Sequence, residues 1–473
     1  MTVDEQPPAA DGTAAPDEPR LPVGGPLNRA LRLGALVALV VLLGVTQGLS
    51  MVIVVVAIVV MIFLHELGHF IAAKRGGMKV TEFFIGFGPR LWSFTRGETE
   101  YGLKAIPLGG YVRLVGMYPP AEAVGATPRP GRIGEMIQSA REASAAEIRP
   151  GEDHRAFYRL SAPKKLVVML GGPVMNLVLA LVLVVLAFSA IGVAGPTTTV
   201  GALSQCVSVS IDAECGPDDE VAPARAAGLA EGDRIVAFDG QEITRWDELA
   251  EAIRASAGRE VAVVVERDGA VLELALRTAL VDREVAGADG EPVTQRVGFL
   301  GVTPTSALQR VPLGTSLAMF GDLTWQTTKI IFTLPARLAE VAQVTFGGGE
   351  RSESSVIGIV GVGRIAGETA AVESEGVGLA QRAVVMLSLI ASLNLALFAF
   401  NLIPLVPLDG GHVVGALWEG ARRQLARLRG AAPPGPADTA RMTPLAYGVF
   451  LVLAAMGILL IYADLVRPVS LTG

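Results

Sequence analysis

The sequence predicts a polytopic α-helical membrane protein of four to five spans, with a region of short strand-like runs on one side of the bilayer and a compact α+β domain on the other. Three observations predict it. Of the 473 residues, 51% are hydrophobic and only 18% charged, against about 25% charged in soluble domains. The apolar excess is concentrated: 33–64, 166–196, 383–408 and 442–463 contain no charged side chain over 32, 31, 26 and 22 residues. The segments between them alternate in charge. A hydrocarbon core of about 30 Å needs roughly 20 apolar residues in a helix, the only open-ended structure that satisfies its own backbone in lipid. Buried core helices of a large soluble protein are disfavoured at these lengths. The composition excludes a disordered chain and, with two cysteines, a disulfide-dense secreted scaffold. A net charge of -7 without a clustered basic excess leaves no footprint for nucleic acid.

Taken in order, residues 1–28 hold six prolines, five acids and one arginine, and read as a disordered cytoplasmic tail. The first membrane segment, 29–73, is about twice the length of a simple span. Gln47, Gly48 and Ser50 near its middle suggest a turn between spans at 31–49 and 51–73, and one long protruding helix is the alternative. The run after Arg29 and Arg32 also fits a signal-peptide core, whereas the acidic leader points to an uncleaved anchor. Residues 74–165 carry 15 basic and 9 acidic residues, 194–382 carry 15 and 27, and 411–441 hold five arginines against two acids. Basic residues near span ends stay inside, so 74–165 and 410–443 are expected in the cytoplasm and 194–382 outside.

Within 74–165, glycines at 86, 88, 97, 102, 109 and 110 separate four short strand-like runs over 81–116, and 119–153 looks flexible. A span over 166–195 follows. In the outer segment, 261–276 reads as two strands around Asp268-Gly269, preceded by helical spacing from Trp246 to Ser256. With Ala226-Ala-Gly-Leu-Ala-Glu-Gly-Asp-Arg-Ile-Val-Ala-Phe-Asp-Gly-Gln ahead of it, the region 196–310 resembles bacterial PDZ domains, which take extended peptide onto a sheet edge; a structural spacer is the alternative. Cys206 and Cys215 lie here, where a disulfide persists, although two buried thiols fit as well. Residues 311–380 read as a juxtamembrane amphipathic helical region, 383–409 and 444–464 as the last spans, and 465–473 as an outer tail.

The chain has four histidines, and two of them stand in His65-Glu66-Leu67-Gly68-His69 at the end of a span. Positions i and i+4 of a helix share a face, so His65 and His69 suit one metal ion, with Glu66 beside them to activate water. Ionisable groups cost about 2.5–3.5 kcal/mol each inside a span, and three occur within five residues. A catalytic zinc site needs a third ligand. Asp409, in Asn401-Leu-Ile-Pro-Leu-Val-Pro-Leu-Asp409-Gly-Gly, is the first charge after Arg382 and sits at a matching depth. An inert scaffold and a metal or solute transporter are the competing classes; the chain shows no inverted repeat of the transporter kind.

Together these motifs resemble the site-2 protease family of intramembrane zinc metalloproteases, over about 51–473, most nearly its actinobacterial members. The resemblance implies an intramembrane metalloendopeptidase of a bacterial inner membrane, multi-pass in the plasma membrane. Its substrates would be transmembrane proteins such as anti-sigma factors or remnant signal peptides. It implies one Zn²⁺ per chain on His65, His69 and Asp409, and Glu66 as the general base. Asn401, Gly109, Gly110 and Asn176 would contact substrate, the last within Gly171-Gly-Pro-Val-Met-Asn176, a further family element. The strand-like runs of 81–116 would be the family's membrane-associated β-hairpin region and present an edge strand to the substrate, and the PDZ-like domain would bind substrate or a regulatory peptide.

Overall fold

The computed structural model describes residues 26–127, 130–207, 215–216, 219–286, 292–348, 351, 355–371 and 378–469. The expected leader therefore lies outside the described residues up to residue 25, as does the expected outer tail from residue 470. The chain forms two compact units, one running to Val185 and including Gly314–Gly378 and the chain from Val385, the other made of Leu186–Leu313 and Leu379–Val384. Among the described residues, four helices are long and apolar enough to cross a membrane: Met51–Arg75, Ala162–Ile191, Leu379–Asn401 and Thr439–Val466.

The first unit opens with α1 (Pro26–Gln47) and α2 (Leu49–Arg75). They break at Gly48, whose φ of 82° is free of strain only for glycine, so the long apolar stretch turns where the sequence suggested. Its apolar part, Ala30–Thr46, is shorter than the four spans. The valines and isoleucines of 52–60 favour strands in water; in lipid a helix alone closes their backbone hydrogen bonds. Lys74 and Arg75 in the last turn complement the helix dipole, and the Gly76 N–H donates to Ala72 O at 2.9 Å.

Next come β1 (Val80–Arg96) and β2 (Thr99–Leu114). The four expected runs appear as two strands that each bend. Residues 92–96 pair with 99–103, 100–103 also with 82–85, and 82–85 with 110–113. The outcome is four paired segments with 110–114 at one edge. Glycines with positive φ at 86 and 88 make one bend. At Gly102 a Cβ would stand 2.4 Å from the Phe84 ring, so only glycine lets these segments lie this close.

The stretch 119–153, expected to be flexible, contains α3 (Ala121–Val124) and α4 (Arg132–Ala146). Its order has a cause. Ile137 is buried, and buried Arg141 donates to both carboxylate oxygens of Asp438 at 2.6 Å, a charge-assisted pair closed away from water. The unit continues into α5 (Ala162–Val185), whose last turns run on as a π-helix over Leu186–Ile191.

The second unit holds β3 (Val193–Leu203), α6 (Pro223–Ala226), β4 (Arg234–Phe238), β5 (Gln241–Glu242), α7 (Trp246–Ala255), β6 (Glu260–Arg267), β7 (Ala270–Arg277), β8 (Ala279–Ala286), β9 (Pro292–Phe299) and β10 (Val302–Gln309). One sheet runs β10-β3-β4-β6-β7 with β5 on β4; β8 and β9 form a separate hairpin. The β6–β7 turn falls on Asp268-Gly269, both with positive φ, the two-residue turn that matches strand twist. Leu249 and Ile253 of α7 bury against Ile235, Val263 and Val265. Cys206 and Cys215 are joined in a disulfide.

The chain then enters α8 (Leu313–Gly347), where helical spacing was expected, and α9 (Ile359–Ala371), α10 (Leu379–Asn401), α11 (Asp409–Leu428) and α12 (Thr443–Val466) follow. Val362 of α9 buries against Val54 of α2. On α12, buried Asp464 accepts from Arg351 at 2.9 Å and from the Gly358 and Gly361 N–H groups at 2.9 and 2.8 Å. A charge in this apolar setting persists only because each oxygen is bonded.

Candidate metal centre

Residues 65–69 occupy the next-to-last turns of α2, and helical periodicity puts both imidazoles on one face, their Nε2 atoms 3.2 Å apart. That face meets α5 where neither helix has a side chain. A Cβ at Gly68 would stand 2.1 Å from Gly171 O, and one at Gly171 2.5 Å from Gly68 O. Small residues at a crossing allow backbones to touch. A Cβ at Gly172 would lie 2.3 Å from His69 Nε2 and 2.7 Å from His65 Nε2; the space in front of the ring nitrogens exists because residue 172 is glycine.

Asp409 arrives from the far end of the sequence. α10 stops at Asn401, a short loop carries Pro404 and Pro407, and Asp409 is the first residue of α11. Gly410 and Gly411 make that start possible, since a Cβ at either would stand 2.3 and 2.5 Å from the loop backbone. α11 is held to α5 by the buried Lys165–Glu419 pair, 2.6 Å apart. Asp409 Oδ2 thereby stands 3.4 Å from His65 Nε2 and 3.3 Å from His69 Nε2.

The three separations, 3.2, 3.3 and 3.4 Å, bear on what the group holds. Ligands about 2.0–2.1 Å from a tetrahedral zinc stand about 3.3–3.4 Å from one another. The other ring nitrogens are already engaged: His69 Nδ1 lies 2.8 Å from Val168 O, and the Asn176 amide lies 3.0 Å from His65 Nδ1. The Val168 carbonyl accepts from His69 Nδ1–H, and the Asn176 amide, turned so that its otherwise unpartnered oxygen faces His65, accepts from His65 Nδ1–H; partners of this kind fix the ring orientation and leave Nε2 for a metal. Asp409 Oδ2 is buried and accepts no hydrogen bond, an arrangement that costs free energy without a cation. The donor set fits zinc.

A cavity of about 340 Å³ opens on the group, walled by Glu66, Gly110, Tyr111, Val112, Asn401 and His412, among others. Its β wall is the edge segment 110–114. A Cβ at Gly110 would stand 3.0 Å from Glu66 Cγ, so glycine lets the edge come up to the carboxylate. Tyr111 donates to Glu82 and accepts from Lys104 Nζ at 2.7 Å. Burial first, and then the Glu82 bond, push its phenol well above the usual range, so it remains neutral.

Of the sequence-derived residues, His65, Glu66, His69, Asp409, Asn401 and Gly110 share this cavity. Asn176 does not face it; the side chain is fully buried behind His65. Gly109 packs under the Phe87 ring, where a Cβ would stand 2.3 Å away. Sequence reasoning missed the Val168 carbonyl and the cradle of Gly68, Gly171 and Gly172. The signal was present, because the glycine pair opens the element ending in Asn176 and Gly68 lies inside the histidine motif.

The model of peptidase family M50 matches residues 53–432. The chain is similar to the zinc metalloprotease Rip1 of Mycobacterium tuberculosis, 34% identical over 436 residues that cover 89% of this chain and 98% of that protein. It is similar as well to the metalloprotease MmpA of Caulobacter vibrioides, 30% identical with 77% and 85% of the chains covered. To the zinc metalloprotease RasP of Shouchella clausii it is 27% identical, with 77% and 88% covered.

Proposed function

The chain belongs to peptidase family M50, the site-2 proteases, and from that premise we propose how its own residues divide the work of cutting a peptide bond inside a membrane. It is a multi-pass membrane zinc metalloprotease of regulated intramembrane proteolysis, acting on membrane proteins. His65, His69 and Asp409 hold the zinc, with Asn176 and the Val168 carbonyl keeping the two rings turned toward it. Bound zinc supplies Lewis acidity, which polarises a carbonyl and acidifies water toward pKa 7.

Glu66 takes the proton of the attacking water and gives it to the leaving amine. The scissile segment comes from a transmembrane helix, whose peptide bonds are shielded by their own hydrogen bonds until it unwinds. The free edge at 110–114 takes the unwound segment as an added strand, with Gly110 admitting it beside Glu66 and Asn401 supplying an amide to its carbonyl. The observation that carries this reading is the near-equal triangle of Nε2, Nε2 and Oδ2 beside an edge strand and a carboxylate.

The site lies toward the cytoplasmic ends of the spans, in the inner membrane of a bacterium, with 74–165 and 410–443 inside. The domain over 196–310 is outside and PDZ-like, binding substrate or a regulatory peptide. The loop charges support this sidedness, and so does the Cys206–Cys215 disulfide. The decisive comparison is Glu66→Gln against wild type in membranes, with a transmembrane reporter substrate. Cleavage is expected to fall by roughly 10²–10⁴-fold while one zinc per chain stays bound. Cleavage unchanged in the variant overturns the assignment of Glu66, and no cleavage by wild type either is what an inert scaffold would give.

A further inference from the structure

The exposed face of α11 is unlike that of a soluble helix. At about 100° per residue, Val414, Leu417, Trp418, Ala421, Leu425 and Leu428 fall within one arc roughly 100° wide. The five large ones are 46%, 54%, 62%, 46% and 76% exposed in that order of chain position. The opposite face is buried through Ala416 and the ion-paired Glu419, so the apolar arc is not the side that packs against the rest of the chain. The charges are one-sided as well. Glu419 is taken by Lys165 and Arg423, and Asp438 by Arg141 and Arg441. Among the described residues, Arg422, Arg427 and Arg429 have no acidic partner, and Arg422 and Arg429 border the apolar arc. The helix begins eight residues after α10 ends at Asn401 and ends eleven before the last candidate span begins at Thr439; both tethers keep it at the bilayer. With six ionisable residues among its 20, it lies on a membrane rather than across one.

We propose that α11 is an interfacial helix that reads anionic lipid: its apolar arc sinks to the headgroup boundary, and Arg422 and Arg429 grip headgroup phosphates. Charge complementarity selects this occupant over a second copy of the chain or a substrate's polar flank, neither of which calls for a Trp-bearing arc bordered by unpaired arginines. A consequence follows that rests on the reading of Asp409 as a zinc ligand. Asp409 is the first residue of α11, so the seat of the helix on lipid sets where the third ligand stands.

The test reads Trp418 in full-length protein carrying Trp92→Phe, Trp246→Phe and Trp325→Phe, one copy per nanodisc. The discs contain phosphatidylcholine brominated at shallow acyl positions, with or without phosphatidylglycerol. Trp418 emission is expected to be quenched and blue-shifted, and more so with phosphatidylglycerol. Arg422→Gln with Arg429→Gln should lower the docked-to-undocked ratio roughly 30-fold in the anionic discs, at about fivefold per arginine. A spin label at Leu417→Cys gives a second readout, since both native cysteines are bonded to each other; it should show lipid accessibility at the same depth. No quenching in single-copy discs, quenching only when a second copy or substrate is added, or equal quenching with and without phosphatidylglycerol each overturns the proposal. None of these readouts depends on cleavage, so a failure here stays separate from a failure of the protease mechanism.

Discussion

His65, His69 and Asp409 need more than their own side chains to stand where they do. Each ring is held from behind, and the room in front of both comes from the missing Cβ at Gly172. Gly172→Ala would put a methyl 2.3 Å from His69 Nε2. The helix itself loses nothing, as alanine is the better helix former. The substitution should therefore lower zinc affinity by roughly 10–100-fold, the scale seen when support behind a ligand is lost, with the helical circular dichroism kept. Metal content measured after dialysis against a weak chelator decides it; full occupancy would show that the cradle yields. The histidine motif was legible at this scale because i, i+4 spacing is local. The role of residue 176 was not, since its partner His65 lies 111 positions away.

At the scale of elements, the bent β1–β2 sheet is fixed to the end of α2 by one charge cluster. Glu98 accepts from Arg155 at 2.7 Å through both oxygens and from Lys74 at 2.6 Å. The Arg155 bonds first, then Lys74, hold its carboxyl down to about 2. A depressed folded-state value gives stability that is complete above the unfolded carboxylate range, near 4.5, and is lost as pH falls toward 2. Acid should loosen this sheet from the helix end over that window. Amide exchange in 80–114 is expected to rise between pH 4.5 and 2 in wild type. In Glu98→Gln, which lacks the pair at every pH, the added rise in that window should vanish; an identical acid response in both would refute the link. The glycine spacing announced four runs, yet their folding into one bent sheet depends on 82–85 pairing on both sides, a choice made by packing.

For the molecule as a whole, the turn at Gly48 decides the number of spans. α1 packs back against α2, where a Cβ at Gly44 would stand 3.5 Å from Val52. Leu49 is 72% exposed, so a thiol there meets whatever medium surrounds the turn. Leu49→Cys in intact cells should react with a membrane-impermeant maleimide from outside if 31–49 and 51–73 both cross. Protection there, with labelling only after lysis, would mean that the N-terminal helix does not return through the bilayer.

By itself the sequence marked the long apolar stretches and pointed to His65, His69 and Asp409 as candidate ligands, for a physical reason that acts over short distances. The solvation cost of each side chain is set one residue at a time, and a helical face is set within a few. What only the tertiary structure decided is that an aspartate 340 positions beyond His69 comes within 3.3 Å of it. That distance depends on glycine contacts between α2 and α5, the Lys165–Glu419 tie and the start of α11, which no local pattern encodes.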